Sequence, residues 1–315
     1  MLSSDVSRKS ILALADELYQ RPRHNVGALV QRTAFSFLIF IYFALGLRDK
    51  FFAVIEEVQE LAVRTKQPNL ELISMSQRAR LCILGGQLEE ALELGDQILS
   101  RADELSLQNY LAGGGFWPQH LRGLTYLGRA TEGVASWTGR EGPFVAVALA
   151  AAGRRDEAQA SLARATDQWR TPAFAGLEEF RAFFGVIALE VEVALRQTEP
   201  AREMLAALHL AELAPFHPIA MVGTARILGE ANLLTGNAAR AREAFATALQ
   251  RSEAIRFRPE IALTRLDLAE LLLEHYPDER EAAIEHLDFA IAEFGEMKMQ
   301  PSLERALRHL GLLRA

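Results

Sequence analysis

The side chains best suited to chemistry are scattered along this chain. The seven histidines are His24, His120, His209, His217, His275, His286 and His309. No HExxH occurs, and no two histidines stand four apart, the helical spacing that would bring two imidazoles onto one zinc ion. His209 and His217 flank a proline-containing turn and read as structural or solvated. Gly113-Gly114-Gly115 runs into Phe116-Trp117-Pro118 with no lysine nearby, so it is a connection before a helix and not a phosphate loop. No GxSxG elbow is present, and Cys82 sits beside Gly85-Gly86, where a thiol serves packing. Glu56-Glu57-Glu60 and Glu89-Glu90-Glu93 lie beside apolar positions and read as solvated helix faces. The sequence thus predicts no enzyme, no metal and no cofactor. What is left for it to do is bind.

The elements that would carry a binding surface are helical. The chain has 315 residues, half of them hydrophobic, with a formal charge of −7 and one cysteine. A disulfide framework is excluded. Ala and Leu dominate, and runs of alternating β-branched residues are absent. The 11 prolines fall between apolar periodic segments, as punctuation in an all-helical chain. The most apolar stretch, residues 33–47, would rise about 22 Å as a helix, short of a roughly 30 Å hydrocarbon core. It starts too late for a secretory leader. It therefore predicts a buried helix, or one whose exposed face docks a second copy of the chain. Membrane insertion is not expected, and a cytoplasmic location is. The first 32 residues carry a surplus of two positive charges and the remainder is acidic, which argues against nucleic acid as partner.

A repeat runs through the apolar pattern. Ile227-Leu228-Gly229 is followed by Gly236, Ala241, Phe245 and Ala248. Small residues at these offsets let two helices approach, and a large one a turn later fills the gap between them. Ala79, Gly86, Ala91 and Ile98 repeat the frame, as do Ala146, Gly153, Ala158, Leu162 and Ala165. Leu268-Ala269 with Ala283, Leu287 and Ala290 does so with two extra residues at His275-Tyr276-Pro277. The second-helix anchors are Ala53, Ala91, Gly133, Ala158, Ala201, Ala241 and Ala283, spaced 38 to 43 apart except for one interval of 25. The unit anchored at Ala201 lacks the turn glycine, and Gly139 and Gly142-Pro143 cut short the second helix of the unit anchored at Gly133.

These residues carry the tetratricopeptide pattern. More specifically, residues 121–134, 144–165, 226–254 and 290–310 resemble the helical arrays that follow an ATPase module in bacterial adenylate-cyclase-like proteins and ATP-dependent transcriptional activators. The resemblance covers roughly residues 70–315. It implies a right-handed α-solenoid of about seven tetratricopeptide-like helix pairs in one domain, with divergent N-terminal helices over residues 1–68, repeats over 69–300 and a capping helix over 301–315. It also implies bacterial signalling or transcription regulation, with catalysis and DNA binding in other domains.

Such an array is expected to be elongated and to bind through the face lined by the first helix of each pair. Counting from the small-residue positions, its inward candidates are Arg80, Leu84, Arg226, Glu230, Leu233, Leu234, Glu270 and Leu273. Lysine occurs only at 9, 50, 66 and 298, so the lysine–asparagine carboxylate clamp of some tetratricopeptide domains is missing. Arg226 could hold a carboxylate bidentately or pair with Glu230 on its own helix. Aromatic residues cluster around the irregular 25-residue interval, and Trp117, Trp137 and Phe144 are expected to line a pocket there. Three functions follow: a non-enzymatic scaffold for a protein or peptide, a small-molecule-sensing regulatory array, or a detached regulatory part of a cyclase or ATPase system. An enzyme would need several inward carboxylates lining one deep pocket.

Overall fold

The computed structural model describes residues 5–21, 26–107, 116–136, 142–169, 178–208 and 214–314. Among these the chain is all-helical, apart from one two-residue ladder. Sixteen α-helices follow one another: α1 (Asp5–Gln20), α2 (Ala28–Ala44), α3 (Arg48–Thr65), α4 (Pro68–Gly85), α5 (Leu88–Glu104), α6 (Phe116–Tyr126), α7 (Ala130–Ser136), α8 (Pro143–Ala151), α9 (Arg155–Trp169), α10 (Glu178–Ala194), α11 (Thr198–Ala207), α12 (Thr224–Leu234), α13 (Ala238–Ile255), α14 (Arg258–His275), α15 (Arg280–Met297) and α16 (Gln300–Arg314). The antiparallel pair β1 (Phe216–His217) and β2 (Val222–Gly223) precedes α12, with Phe216 opposite Gly223 and His217 opposite Val222.

The punctuation is visible in the backbone. Every described proline lies in the first turn of a helix or between helices; Pro68 and Pro143, for example, open α4 and α8. Short turns join α2 to α3, α4 to α5, α6 to α7, α8 to α9, α10 to α11 and α12 to α13. Each contains one left-handed residue: Gly46, Gly86, Gly128, Gly153, Arg196 and Gly236. Five of the six are glycine, the residue that takes this conformation without steric cost. Arg196 stands where the unit anchored at Ala201 has no glycine.

Most of the anchor positions are buried, Ala91 and Gly133 among them, but Ala53 is only half-buried. Ala158, Ala201, Ala241 and Ala283 are wholly buried in second helices. A Cβ added to Gly229 on α12 would come within 2.4 Å of the Phe245 ring on α13, so the two helices touch through that missing side chain. The short 25-residue interval reflects two abbreviated helices, α7 with seven residues and α8 with nine.

Each helix packs on the next, and alternate helices also pack side by side: α4 on α6, α6 on α8, α8 on α10, α10 on α12, α12 on α14. The expected elongated array is corrected by a further set of contacts. α14 packs on α4 and α16 packs on α6, so the C-terminal helices return to the first pairs. The turn glycines of the first pairs receive them: Met297 lies against Gly86, and Pro301 against Gly128. Arg258 donates to the Gly85 carbonyl at 3.3 Å, and Lys298 pairs with Glu89. One apolar cluster accordingly runs from Ile11 through Phe43, Phe51 and Leu84 to Phe257, Met297 and Ala306.

α2 is the apolar segment of the sequence, shifted to start earlier and to stop at Ala44 before the left-handed Gly46. Phe35, Leu38, Ile39, Ile41, Tyr42 and Phe43 are all buried, with Phe43 packed on Phe51, Phe216 and Phe257. This matches the buried reading of residues 33–47. No described helix is long and apolar enough to cross a membrane.

Candidate functional site

Charged side chains gather where α6, α10, α12, α14 and α16 face one another. Glu260, near the start of α14, is wholly buried and accepts four hydrogen bonds. Arg226 of α12 donates to it through Nε and Nη2, each at 3.0 Å. The Gly223 amide, placed by β2, donates at 2.9 Å, and the Tyr126 hydroxyl of α6 donates at 3.2 Å. A carboxylate taken from water needs all of its lone pairs met, and here they are met. Arg226 also pairs with Glu230 at 3.1 Å and approaches Asp267 to 3.8 Å. Arg305 of α16 donates to Asp267 at 2.9 Å and pairs with Glu270, which His309 also meets at 2.8 Å. Arg122 of α6 forks onto Glu190 of α10 at 2.6 and 2.8 Å, and its Nε reaches the Ala220 carbonyl at 2.9 Å.

The electrostatics follow from burial. Desolvation disfavours the charge on Arg226, but Glu260, Glu230 and Asp267 outweigh it and hold the guanidinium well above its ordinary range. Desolvation and the Glu260 charge push the Tyr126 hydroxyl far up. Burial raises Glu230 to about 8 against the pull of Arg226, with Asp267 adding to the rise. Asp267 is raised for the same first reason, although Arg305 and Arg226 oppose it. Two carboxyls that favour the proton thus lie beside two guanidiniums, those of Arg226 and Arg305.

Of the residues singled out in the sequence, Arg226, Glu230 and Glu270 meet in this network. Arg226 forks onto the chain's own Glu260, which corrects the expectation that it is free to hold a ligand carboxylate. Arg80 does not join them. It lies buried on α4, its guanidinium carbon 5.8 Å from the centre of the Phe43 ring, with no ion pair or hydrogen bond among the described residues. Trp117 packs on the cluster of Leu72, Ala79, Leu94 and Ile98, whereas Phe144 meets the rings of Phe184 and His217, each at 6.0 Å. The two do not share a pocket, and Trp137 lies outside the described residues. Phe144 instead lines a small cleft with Pro118, Leu121, Arg122, Thr125, Val147 and Ala220. The carboxylates of this network do not line one deep cavity: each faces an arginine. Cys82 is half-buried, its thiol pushed up to about 11 by burial first and then by Glu90, so it is held as the neutral thiol.

Glu190, Glu260, Asp267, Arg122 and Arg305 were not legible as site residues. One signal was available for the first. Glu190, Glu230 and Glu270 stand 40 residues apart on α10, α12 and α14, the repeat interval itself. Their side chains keep 12%, 19% and 17% of their surface exposed. Among the described residues no three His, Cys, Asp or Glu side chains are grouped so as to hold a metal ion. No protein-family model matches the chain, and no curated protein matches it either.

Proposed function

We propose that this chain is a non-enzymatic tetratricopeptide-like scaffold, a right-handed solenoid of seven helix pairs capped by α16, which binds a protein or peptide segment along its first helices. The observation that carries this reading is the ladder of Glu190, Glu230 and Glu270. On α10, α12 and α14 one carboxylate recurs at the same place, partly open to solvent. A ladder with a regular rise is suited to an extended segment with regularly spaced side chains. Because the rungs are acidic, the segment bears lysine or arginine, which would compete with Arg122, Arg226 and Arg305 for them. The resemblance to bacterial signalling arrays supports a regulatory role in the cytoplasm.

The test is a peptide array on the purified chain, followed by fluorescence anisotropy at low and high salt. Basic peptides are expected to be retained, with affinity falling as salt rises. Glu190→Gln and Glu270→Gln should each weaken them. Retention of acidic peptides only, no binding at any salt, or turnover of a small substrate without a partner would overturn the reading.

A further inference from the structure

We propose that α16 is an autoinhibitory latch: the chain's own basic helix occupies the Glu270 end of the carboxylate ladder, and an incoming basic segment displaces it. This rests on the reading that the ladder binds such a segment, and it adds what keeps the ladder closed until one arrives.

Three arginines meet the rungs, and only one of them sits on an element that can leave. Arg122 and Arg226 each keep 6% of their side-chain surface exposed. Both are tied to a second group within the array, Arg122 to the Ala220 carbonyl and Arg226 to Glu260. Arg305 keeps 36% exposed and stands on the last helix. Its Nε donates to Glu270 at 2.7 Å, its Nη2 reaches Asp267 at 2.9 Å, and His309 one turn on meets Glu270. α16 carries three arginines against one glutamate, which is the charge that the rungs call for.

The apolar hold on α16 is slight. Among residues 300–311 only Ala306 is wholly buried; Leu303 and Leu310 are half-buried and Leu307 is exposed. α14, by contrast, buries Ala262, Leu266, Ala269 and Leu271 completely. Terminal elements with few buried apolar side chains belong to the low-stability end of a fold. Two residues join α16 to α15: the left-handed Lys298 and the wholly buried Met299, which fixes the pivot while the helix beyond it departs. Departure by itself would strip Arg305 from Asp267, whose side chain is only 2% exposed, and an unpaired buried carboxylate is costly. That cost keeps the latch shut. A segment that brings its own guanidinium or ammonium restores the pairing, so displacement is an exchange of one cation for another. An acidic or uncharged segment offers no such exchange.

The experiment uses the full chain, fluorescein-labelled hexa-arginine as probe, and hydrogen–deuterium exchange. Arg305→Gln should speed exchange of the amides over residues 302–311 while α12 and α14 keep their protection. The same variant should bind hexa-arginine at least about tenfold more tightly than the wild type, because the open form is no longer a minor fraction. Arg308→Gln removes an equal charge from an exposed position of α16 and should leave both readings unchanged. Glu270→Gln should free the helix and yet bind the probe more weakly, since the rung itself is lost. In the wild type, hexa-arginine should speed exchange within α16, a reading that needs no variant. Equal binding by the wild type and Arg305→Gln, or α16 exchange untouched by bound probe, overturns the latch and leaves the binding reading standing. A helix released in Arg305→Gln, with hexa-arginine bound by neither form, overturns the binding reading and the latch with it. Exchange that rises in α12 and α14 together with α16 places Arg305 in the framework and overturns the latch as well.

Discussion

Two arginines on equivalent first helices, Arg226 on α12 and Arg80 on α4, are equally buried and opposite in circumstance. Arg226 lies among Glu260, Glu230 and Asp267. Arg80 has an aromatic ring and no acid among the described residues, and burial alone lowers its pKa to about 10. The sequence marks both as inward-facing from the same repeat frame, yet only one has been given counter-charges. Repetition of the backbone thus fixes where a side chain points and leaves its electrostatics to be settled site by site. A compensated cation is part of the framework. An uncompensated one is either a local cost or a place for something that arrives.

The largest effect should come from cutting the compensated side. Glu260→Ala removes the acceptor of four hydrogen bonds and strands Arg226 in a dry interior. Breaking a buried pair from one side costs about 3–5 kcal/mol, read as a lower denaturation midpoint at unchanged slope. A loss below about 1 kcal/mol, the size of a single ordinary hydrogen bond, would show that Arg226 and Glu260 are not the framework element described here.

The opposite substitution sharpens the contrast. Arg80→Met keeps length and apolar stem and discards a charge with no partner. Replacing buried ionic groups by packed apolar ones is often stabilising by about 1–4 kcal/mol, and a gain near the lower end is expected in the same denaturation measurement. If the variant is instead less stable, Arg80 is compensated in the folded chain and the two arginines are alike after all.

These sites also show what could be read in advance. Helices and turn positions are written in small residues, glycines and prolines at fixed offsets, because close helix approach and left-handed turns admit few residue types. The return of α14 and α16 onto α4 and α6 has no such local signature. It rests on Met297 and Pro301 meeting glycines already accounted for by their turns. Arg226 and Glu230, four apart, could be paired from the sequence. Glu260, 34 residues on, could not, because its place depends on how two helices pack. Arg122 and Glu190 are 68 residues apart and belong to the same class. The pairing of Trp117 with Phe144 fails for a related reason: composition gathers aromatics into a stretch, but α6 and α8 turn these two toward different clusters.

The finest test lies within the compensated network, at the one rung where compensation is incomplete. Glu230 has Arg226 at 3.1 Å, yet burial and Asp267 raise its pKa to about 8. The unfolded chain releases this proton near pH 4.5, the ordinary glutamate value. Between those limits the folded state holds a proton that the unfolded state has lost, so stability falls as pH rises. Below them both states are protonated and the group contributes no slope. Above them the full cost of an ionised Glu230 is present. Glu230→Gln stays neutral throughout. It should match the wild type near pH 5 and exceed it increasingly up to pH 9, with each tenfold difference in proton affinity worth about 1.4 kcal/mol. Melting temperatures of the two proteins at a series of pH values measure the gap directly. A gap that does not widen with pH would mean that Arg226 fully offsets the burial of Glu230.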